Sequence, residues 1–252
     1  MFQRIAEQYH NSTAMVIGAG GIGREIIRLI APSVSRLWVT DFDPQQLDQI
    51  GDLCPEEKLV SRQLDVADET AVAELAAELE SAEAIPDFLF YTAGMLTIEP
   101  FLDTTAEKWE RVVAINLNGA FFCSHAIARL MAPRRRGSIL LMGSIAGTKA
   151  RSGSRVNPVY NSTKAAVAAF VNAAAMQLRP HGIRINCISP GPTATPMMDI
   201  QPERVHASVR EIALDGRLNL PAEVAEVAVF VAAQGRFTGE DVAMGGGAGL
   251  GG

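Results

Sequence analysis

Ala14-Met15-Val16-Ile17-Gly18-Ala19-Gly20-Gly21-Ile22-Gly23 is an apolar β-type run that breaks into four glycines within six residues. A helical pattern follows to about residue 31. Strand, glycine turn and helix in that order let backbone N–H groups at the helix start approach a pyrophosphate. Gly18, Gly20 and Gly23 fit GxGxxG, with Gly21 and Ile22 inside the turn. A glycine turn here can also serve only tight strand–helix packing, so the match leaves both readings open.

From this unit outward, β-type runs at 36–41, 59–64, 87–92, 138–142 and 184–189 alternate with helical segments, among them 69–80, about 106–131 and about 159–179. This is a βαβ rhythm. Near-continuous apolar strands such as Phe88-Leu89-Phe90 and Ile139-Leu140-Leu141-Met142 predict an α/β fold whose parallel sheet is covered on both faces. After Ser189 the rhythm breaks into Pro190-Gly191-Pro192-Thr193-Ala194-Thr195-Pro196, which with the stretch to about 216 reads as a substrate lid. A last helix from Pro221 to about 233, a short strand near 241–244 and a glycine-rich tail complete one expected domain, 1–252.

With 28 acidic against 22 basic residues and a sequence pI near 5.3, the chain has no broad positive field to collect a phosphate backbone, which argues against nucleic-acid binding. Cys54, Cys123 and Cys187 have no paired spacing, so neither a disulfide frame nor a metal site is expected. No apolar run approaches the ~20 residues of a membrane span, and residues 1–11 lack the apolar run of a secretory signal; the expected address is the reducing cytoplasm.

Asp41 ends the second strand eighteen positions after Gly23, where an acidic side chain accepts hydrogen bonds from the adenosine ribose hydroxyls. A 2′-phosphate about 4 Å from that carboxylate would cost on the order of 4 kcal/mol at an effective dielectric of ~20, which favours NAD over NADP unless Arg24 or Arg36 compensates. Asp41 reads alternatively as a strand-end residue that starts a turn with Asp43 and Pro44. Asp65, with Val66 after the third strand, either faces the adenine edge or caps the following helix.

Tyr160-Asn161-Ser162-Thr163-Lys164 puts Tyr160 and Lys164 four positions apart on one helix face. An adjacent ammonium favours a phenolate and can draw a phenol of ordinary pKa ~10 toward working pH. Ser144 follows the strand 138–142 at the end where open α/β sheets place ligands, and its hydroxyl can bond a substrate oxygen. Asn116 interrupts an apolar stretch with a carboxamide; as a residue it reads equally as a hydrogen-bonded core Asn.

Taken in order, GAGGIG, Asp41, Ala93-Gly94, NLNG, Ser144, YNSTK and Pro190-Gly191 resemble the short-chain dehydrogenase/reductase family from Ala14 to about Gly246. The resemblance implies a Rossmann-type doubly wound sheet and an NAD-dependent oxidoreductase moving hydride between a nicotinamide cofactor and a ketone or secondary-alcohol carbon. It implies Tyr160 as general acid/base, Ser144 as holder of the substrate oxygen, and Lys164 lowering the Tyr160 pKa while binding the nicotinamide ribose. Asn116 would support a water-linked proton path. Thr92, Ala93, Gly94, Pro190, Gly191, Thr193 and Thr195 would complete the cofactor site, the two last threonines also anchoring the lid.

The sequence departs from the family pattern in carrying Ile17 for the usual Thr, a glycine loop one residue shorter, and Tyr91-Thr92 for Asn-Asn. These departures motivate an alternative, a catalytically inactive NAD-binding regulatory protein; the intact Ser144, Tyr160 and Lys164 argue against it. An epimerase or dehydratase on the same scaffold would bring a larger substrate domain. Lys149, Arg151 and Arg155 between Ser144 and Tyr160 read as substrate contacts or as solvated loop charges. Arg134-Arg135-Arg136 follows a helix end, where cations offset the dipole. Met197 and Met198 beside the lid can shape an apolar pocket. Ala165, Ala166, Ala168, Ala169, Ala173, Ala174 and Ala175 allow a second helix to approach closely, so a homodimer or homotetramer is expected.

Overall fold

The computed structural model describes residues 2–148, 157–199 and 213–248. Seven strands form one sheet: β1 Thr13–Ile17, β2 Arg36–Asp41, β3 Leu59–Gln63, β4 Phe88–Tyr91, β5 Gly137–Met142, β6 Ile183–Pro190 and β7 Asp241–Met244. Their order is β3-β2-β1-β4-β5-β6-β7 and every pairing is parallel. The order reverses between β1 and β4, so the loops after those strands open a crevice at the sheet's C-terminal edge, the topological switch point of a doubly wound fold.

The helices are α1 Phe2–Tyr9, α2 Gly21–Ile30, α3 Pro44–Asp48, α4 Glu69–Ser81, α5 Ala106–Val113, α6 Gly119–Met131, α7 Ile145–Thr148, α8 Pro158–Leu178, α9 Pro196–Asp199 and α10 Pro221–Ala233. They cover both faces of the sheet, which is why β4 is buried at all four residues. One apolar layer joins Val16, Ile26, Ile30, Phe90 and Leu140 to Val224 and Ala228 of α10. The other joins Met15, Leu89, Leu141 and Ile185 to Leu75, Ile127 and Val171 of α4, α6 and α8. Among the described residues, no helix is long and apolar enough to cross a membrane.

Three local features differ from the sequence reading. The helical stretch 106–131 is broken by a π turn, Ala114–Asn118, between α5 and α6. The N-terminal residues, read only as lacking a signal, form α1, and the Tyr9 phenol donates to the Val229 carbonyl of α10 at 2.7 Å. Asp65 does not cap α4: Asp68 does, accepting Thr70 N at 2.9 Å and Ala71 N at 3.2 Å. Away from the crevice, Asp87 takes Thr13 N and the guanidinium groups of Arg134 and Arg136, so two cations of the arginine tract tie adjoining strand ends together.

Candidate active site

The glycine turn is shaped as a cradle. Gly18 has φ +98° and Gly21 φ +43°, backbone that L side chains rarely adopt, and a Cβ on Gly23 would lie 1.9 Å from the Gly18 carbonyl oxygen. The N-cap of α2, Gly20, offers no side-chain acceptor, so the helix presents its first N–H groups unprotected by a cap. Such a positive helix end, approached by bare backbone, fits a pyrophosphate. Where the family usually carries Thr at position 17, Thr92 acts on the turn from the neighbouring strand: its hydroxyl lies 3.0 Å from the Ile17 carbonyl and 2.7 Å from that of Gly18.

Asp41 closes the turn from the other side. Its Oδ2 accepts Ala19 N at 2.6 Å and its Oδ1 accepts Asp43 N at 2.9 Å. The carboxylate therefore starts the turn expected as its alternative role and also braces the glycine loop. Asp65 Oδ1 accepts Ala67 N at 3.0 Å while Oδ2 pairs with Arg111, whose guanidinium lies 5.8 Å from the centre of the exposed Phe42 ring. Val66 is buried against the position of Gly119. On the opposite rim, Gly191 N donates to the Met244 carbonyl, Thr193 Oγ1 to the Gly191 carbonyl at 2.9 Å, and Thr195 reaches the glycine turn, 3.0 Å from where a Cβ on Gly21 would stand. Thus Gly18, Gly21, Gly23, Asp41, Thr92 and Thr195 converge, with Ala93 bonded through its N–H to the Ile17 carbonyl. Met197 is the second residue of α9 and is half-buried. Lys149, Arg151 and Arg155 lie outside the described residues.

The polar centre forms where β5 ends and α8 begins. Asn157 is the N-cap of α8, accepting Tyr160 N at 2.9 Å, and Pro158 occupies the first helical position, where its missing N–H costs nothing. The same carboxamide donates to the Thr97 carbonyl at 2.6 Å, tying the helix start to the loop after β4. Ser144 is buried; its hydroxyl accepts Ala146 N at 3.2 Å and donates to the Pro190 carbonyl at 3.5 Å. Gly147 lets α7 lie directly against α8, since its Cβ would meet Ala165 N at 2.4 Å.

The electrostatics differ from the simple expectation that Lys164 draws the phenol down. Burial raises the Tyr160 pKa, and what opposes it is the nearby Ser144 hydroxyl. Lys164, 4% exposed, turns its ammonium to the Met142 carbonyl at 2.8 Å, 5.7 Å from the centre of the Tyr160 ring. Burial brings its own pKa down to about 8.

Asn116, in the π turn and 1% exposed, accepts Met95 N at 2.7 Å and donates to the Met95 carbonyl at 2.9 Å and to Thr163 Oγ1 at 3.1 Å. It satisfies the core-Asn reading and simultaneously joins the loop after β4 to the helix carrying Tyr160. Residues the sequence reading passed over are Asn157, Thr97, Thr163 and Met95. Only Asn157 carried a local signal, an Asn-Pro pair opening a helical run.

A parallel doubly wound sheet with a glycine cradle at the switch point and Ser144, Tyr160 and Lys164 gathered at the same edge fits a nicotinamide-dependent oxidoreductase. Comparison with known proteins agrees. The sequence model of a family described as enoyl-(acyl carrier protein) reductase matches residues 17–249. A (3R)-3-hydroxyacyl-CoA dehydrogenase of Mus musculus is 34% identical over 94% of this chain and 96% of its own. A galactitol 2-dehydrogenase (L-tagatose-forming) of Cereibacter sphaeroides is 33% identical over 98% of each. Among solved structures, a 3-oxoacyl-[acyl-carrier protein] reductase with bound NAD from Brucella melitensis superposes with a TM-score of 0.84 at 27% identity, covering 100% of this chain and 96% of that one. The chain belongs to the short-chain dehydrogenase/reductase family and is an oxidoreductase that moves hydride between a nicotinamide cofactor and a hydroxyl or carbonyl carbon.

Proposed function

We propose that the chain is an NAD-preferring dehydrogenase/reductase of secondary alcohols and ketones in which Tyr160 is the general acid/base. The observation that carries this reading is the meeting, where β5 ends and α8 begins, of buried Ser144 with Tyr160 and Lys164, the Lys164 ammonium being held by the Met142 carbonyl at 2.8 Å and lying 5.7 Å from the centre of the Tyr160 ring. Bound nicotinamide would supply hydride to a carbonyl carbon or take it from a carbinol carbon. In the reducing direction Tyr160 Oη gives its proton to the substrate oxygen; in the oxidising direction it takes that proton back. Ser144 Oγ donates to the same oxygen and so steadies the charge that develops on it. Lys164 holds positive charge close to the phenolate that remains, and Asn116 keeps the wall behind it in place. The 3-hydroxyacyl and galactitol names of the relatives share a CH–OH group, which supports this substrate class.

Preference for NAD rests on Asp41, fixed by two backbone N–H groups at the ribose end of the crevice. Neither cation weighed above relieves it: Arg24 is engaged by the Gln49 side chain and carbonyl, and Arg36 begins the strand that Asp41 ends, five rises or roughly 16 Å away. Arg111 is committed to Asp65. Fluorescence titration is expected to give much tighter binding of NADH than of NADPH, with Asp41→Ala narrowing the gap. Equal affinities in the unaltered protein would mean that a cation such as Arg111 has taken the 2′-phosphate, and the NAD assignment would fail.

The reading includes one domain over 1–252, a lid at about 192–216, a cytoplasmic address supported by three free buried cysteines, and a homodimer or homotetramer. Support for assembly comes from exposed aromatic and small residues on neighbouring helices: Trp109 of α5, Phe121 of α6, and Ala169, Ala173 and Met176 of α8. A hydrodynamic mass of at least two chains is expected at micromolar concentration; a mass of one 26.9 kDa chain overturns the assembly.

A further inference from the structure

Tyr91 stands where the family usually has Asn, and the reaction as derived above gives it no part. It ends β4, is 1% exposed, and its phenol donates to the Ile115 carbonyl at 2.6 Å. That carbonyl belongs to the π turn, a conformation rare inside helices and frequent at functional sites. The ring fits only because residue 119 is glycine: a Cβ there would come within 2.6 Å of the Tyr91 oxygen and 2.9 Å of Val66.

The π turn is thus fastened to the β4 segment twice, by Tyr91 to Ile115 and by Met95 to Asn116. Both Asn116 donors are used, one on Met95 and one on Thr163, and the Thr163 hydroxyl donates in turn to the Tyr160 carbonyl at 2.8 Å. A Cβ on Gly94 would lie 3.5 Å from both Asn116 Oδ1 and Lys164 Nζ, so the carboxamide and the ammonium border the same small space. A shift of the π turn is therefore transmitted to the wall behind Tyr160 and Lys164.

We propose that Tyr91 is a positioning residue for hydride transfer: its hydrogen bond to Ile115 sets the π turn, and through it the Asn116–Thr163 contact that holds the start of α8. This inference rests on the assignment of Tyr160 as the acid/base. Cys123 and Asp65 are the titratable groups that bear on Tyr91, and burial holds its phenol well above the ordinary range, so it acts as a neutral donor. Ser144 and Lys164 are the groups that bear on Tyr160.

Tyr91→Phe keeps the ring and removes only the donor. The chain has three tyrosines, and the phenols of Tyr9 and Tyr91 are buried and donate to carbonyls, so half-buried Tyr160 is the first to ionise in an ultraviolet phenolate titration. Tyr160→Phe supplies the blank. Expected for Tyr91→Phe are a kcat about tenfold lower with unchanged NADH affinity, and a Tyr160 titration displaced by about half a pH unit or more. In an Asn116→Ala background the same change should cost less than about twofold in kcat, because the route is already cut.

A lowered melting temperature with wild-type kcat and an unmoved Tyr160 titration would show a purely structural tyrosine and overturn the inference. Should Tyr91→Phe not fold, Gly119→Ala, whose methyl meets the phenol oxygen, must reproduce the same two effects. The phenolate titration does not depend on turnover. Undiminished activity of Tyr160→Phe would therefore sink the acid/base reading alone, whereas an unmoved titration sinks the role of Tyr91 alone.

Discussion

Tyr160→Phe is expected to lower kcat by about a hundred- to ten-thousandfold, the usual share of a positioned proton donor, while NADH binds as before. The substitution leaves the ring, its packing and the Lys164 contact in place and deletes one oxygen. Ser144 Oγ keeps Ala146 N as a partner, so the crevice should not collapse. Steady-state kinetics with a panel of ketones and secondary alcohols, beside an NADH titration of the same preparation, separates chemistry from binding. Undiminished turnover would place the proton elsewhere, on Ser144 or on solvent, and would remove the role given to α8.

Lys164→Met is expected to abolish turnover and at the same time to remove a pH-dependent weakness of the fold. Burial depresses the Lys164 pKa to about 8 from the ordinary 10.5. Between those values the unfolded chain binds a proton that the native one has released, so the group adds stability as pH rises from about 8 and subtracts its full amount below. The difference is on the order of 3 kcal/mol at pH 7, less about 1 kcal/mol for the donor that the Met142 carbonyl loses. The thiol of Cys187, pushed up to about 12, favours unfolding in alkali in both proteins, so the informative quantity is the difference between the two curves. Denaturant midpoints measured from pH 7 to 10.5 should converge toward the alkaline end, with the variant more stable at pH 7. Parallel curves would mean that the ammonium is not held buried. A residue needed for turnover then also limits stability, the expected tension at an active centre.

Much of the scaffold is readable before any coordinates. Apolar runs such as Phe88-Leu89-Phe90 are buried on both faces of a parallel sheet, so their strand character survives without tertiary information. Gly18 and Gly23 are legible because the turn tolerates nothing larger. The π turn is not: Ala114-Ile115-Asn116-Leu117-Asn118 keeps helical periodicity, and what distinguishes it is a phenol arriving from β4, more than twenty residues away in the chain. Asp65 and Asp68 are the same residue type three positions apart, and which one caps α4 depends on where the helix starts: Asp68 directly precedes Glu69, while Asp65 bonds Ala67 N and Arg111. The charge balance at Tyr160 was equally hidden, because sequence gives the spacing of Lys164 but not the carbonyl to which its ammonium turns.

Residues 191 and 214–219 share one anchor. Gly191 N and Asn219 Nδ2 both bond the Met244 carbonyl, and Leu214 N bonds that of Gly246. The chain thus leaves the core and returns to it at neighbouring points on a single short segment. Lengthening a connection whose ends are fixed and adjacent carries little entropic cost, about 0.6 kcal/mol for each doubling. Insertions between such anchors would leave Ser144, just after β5, and Tyr160 and Lys164, on α8, where they are.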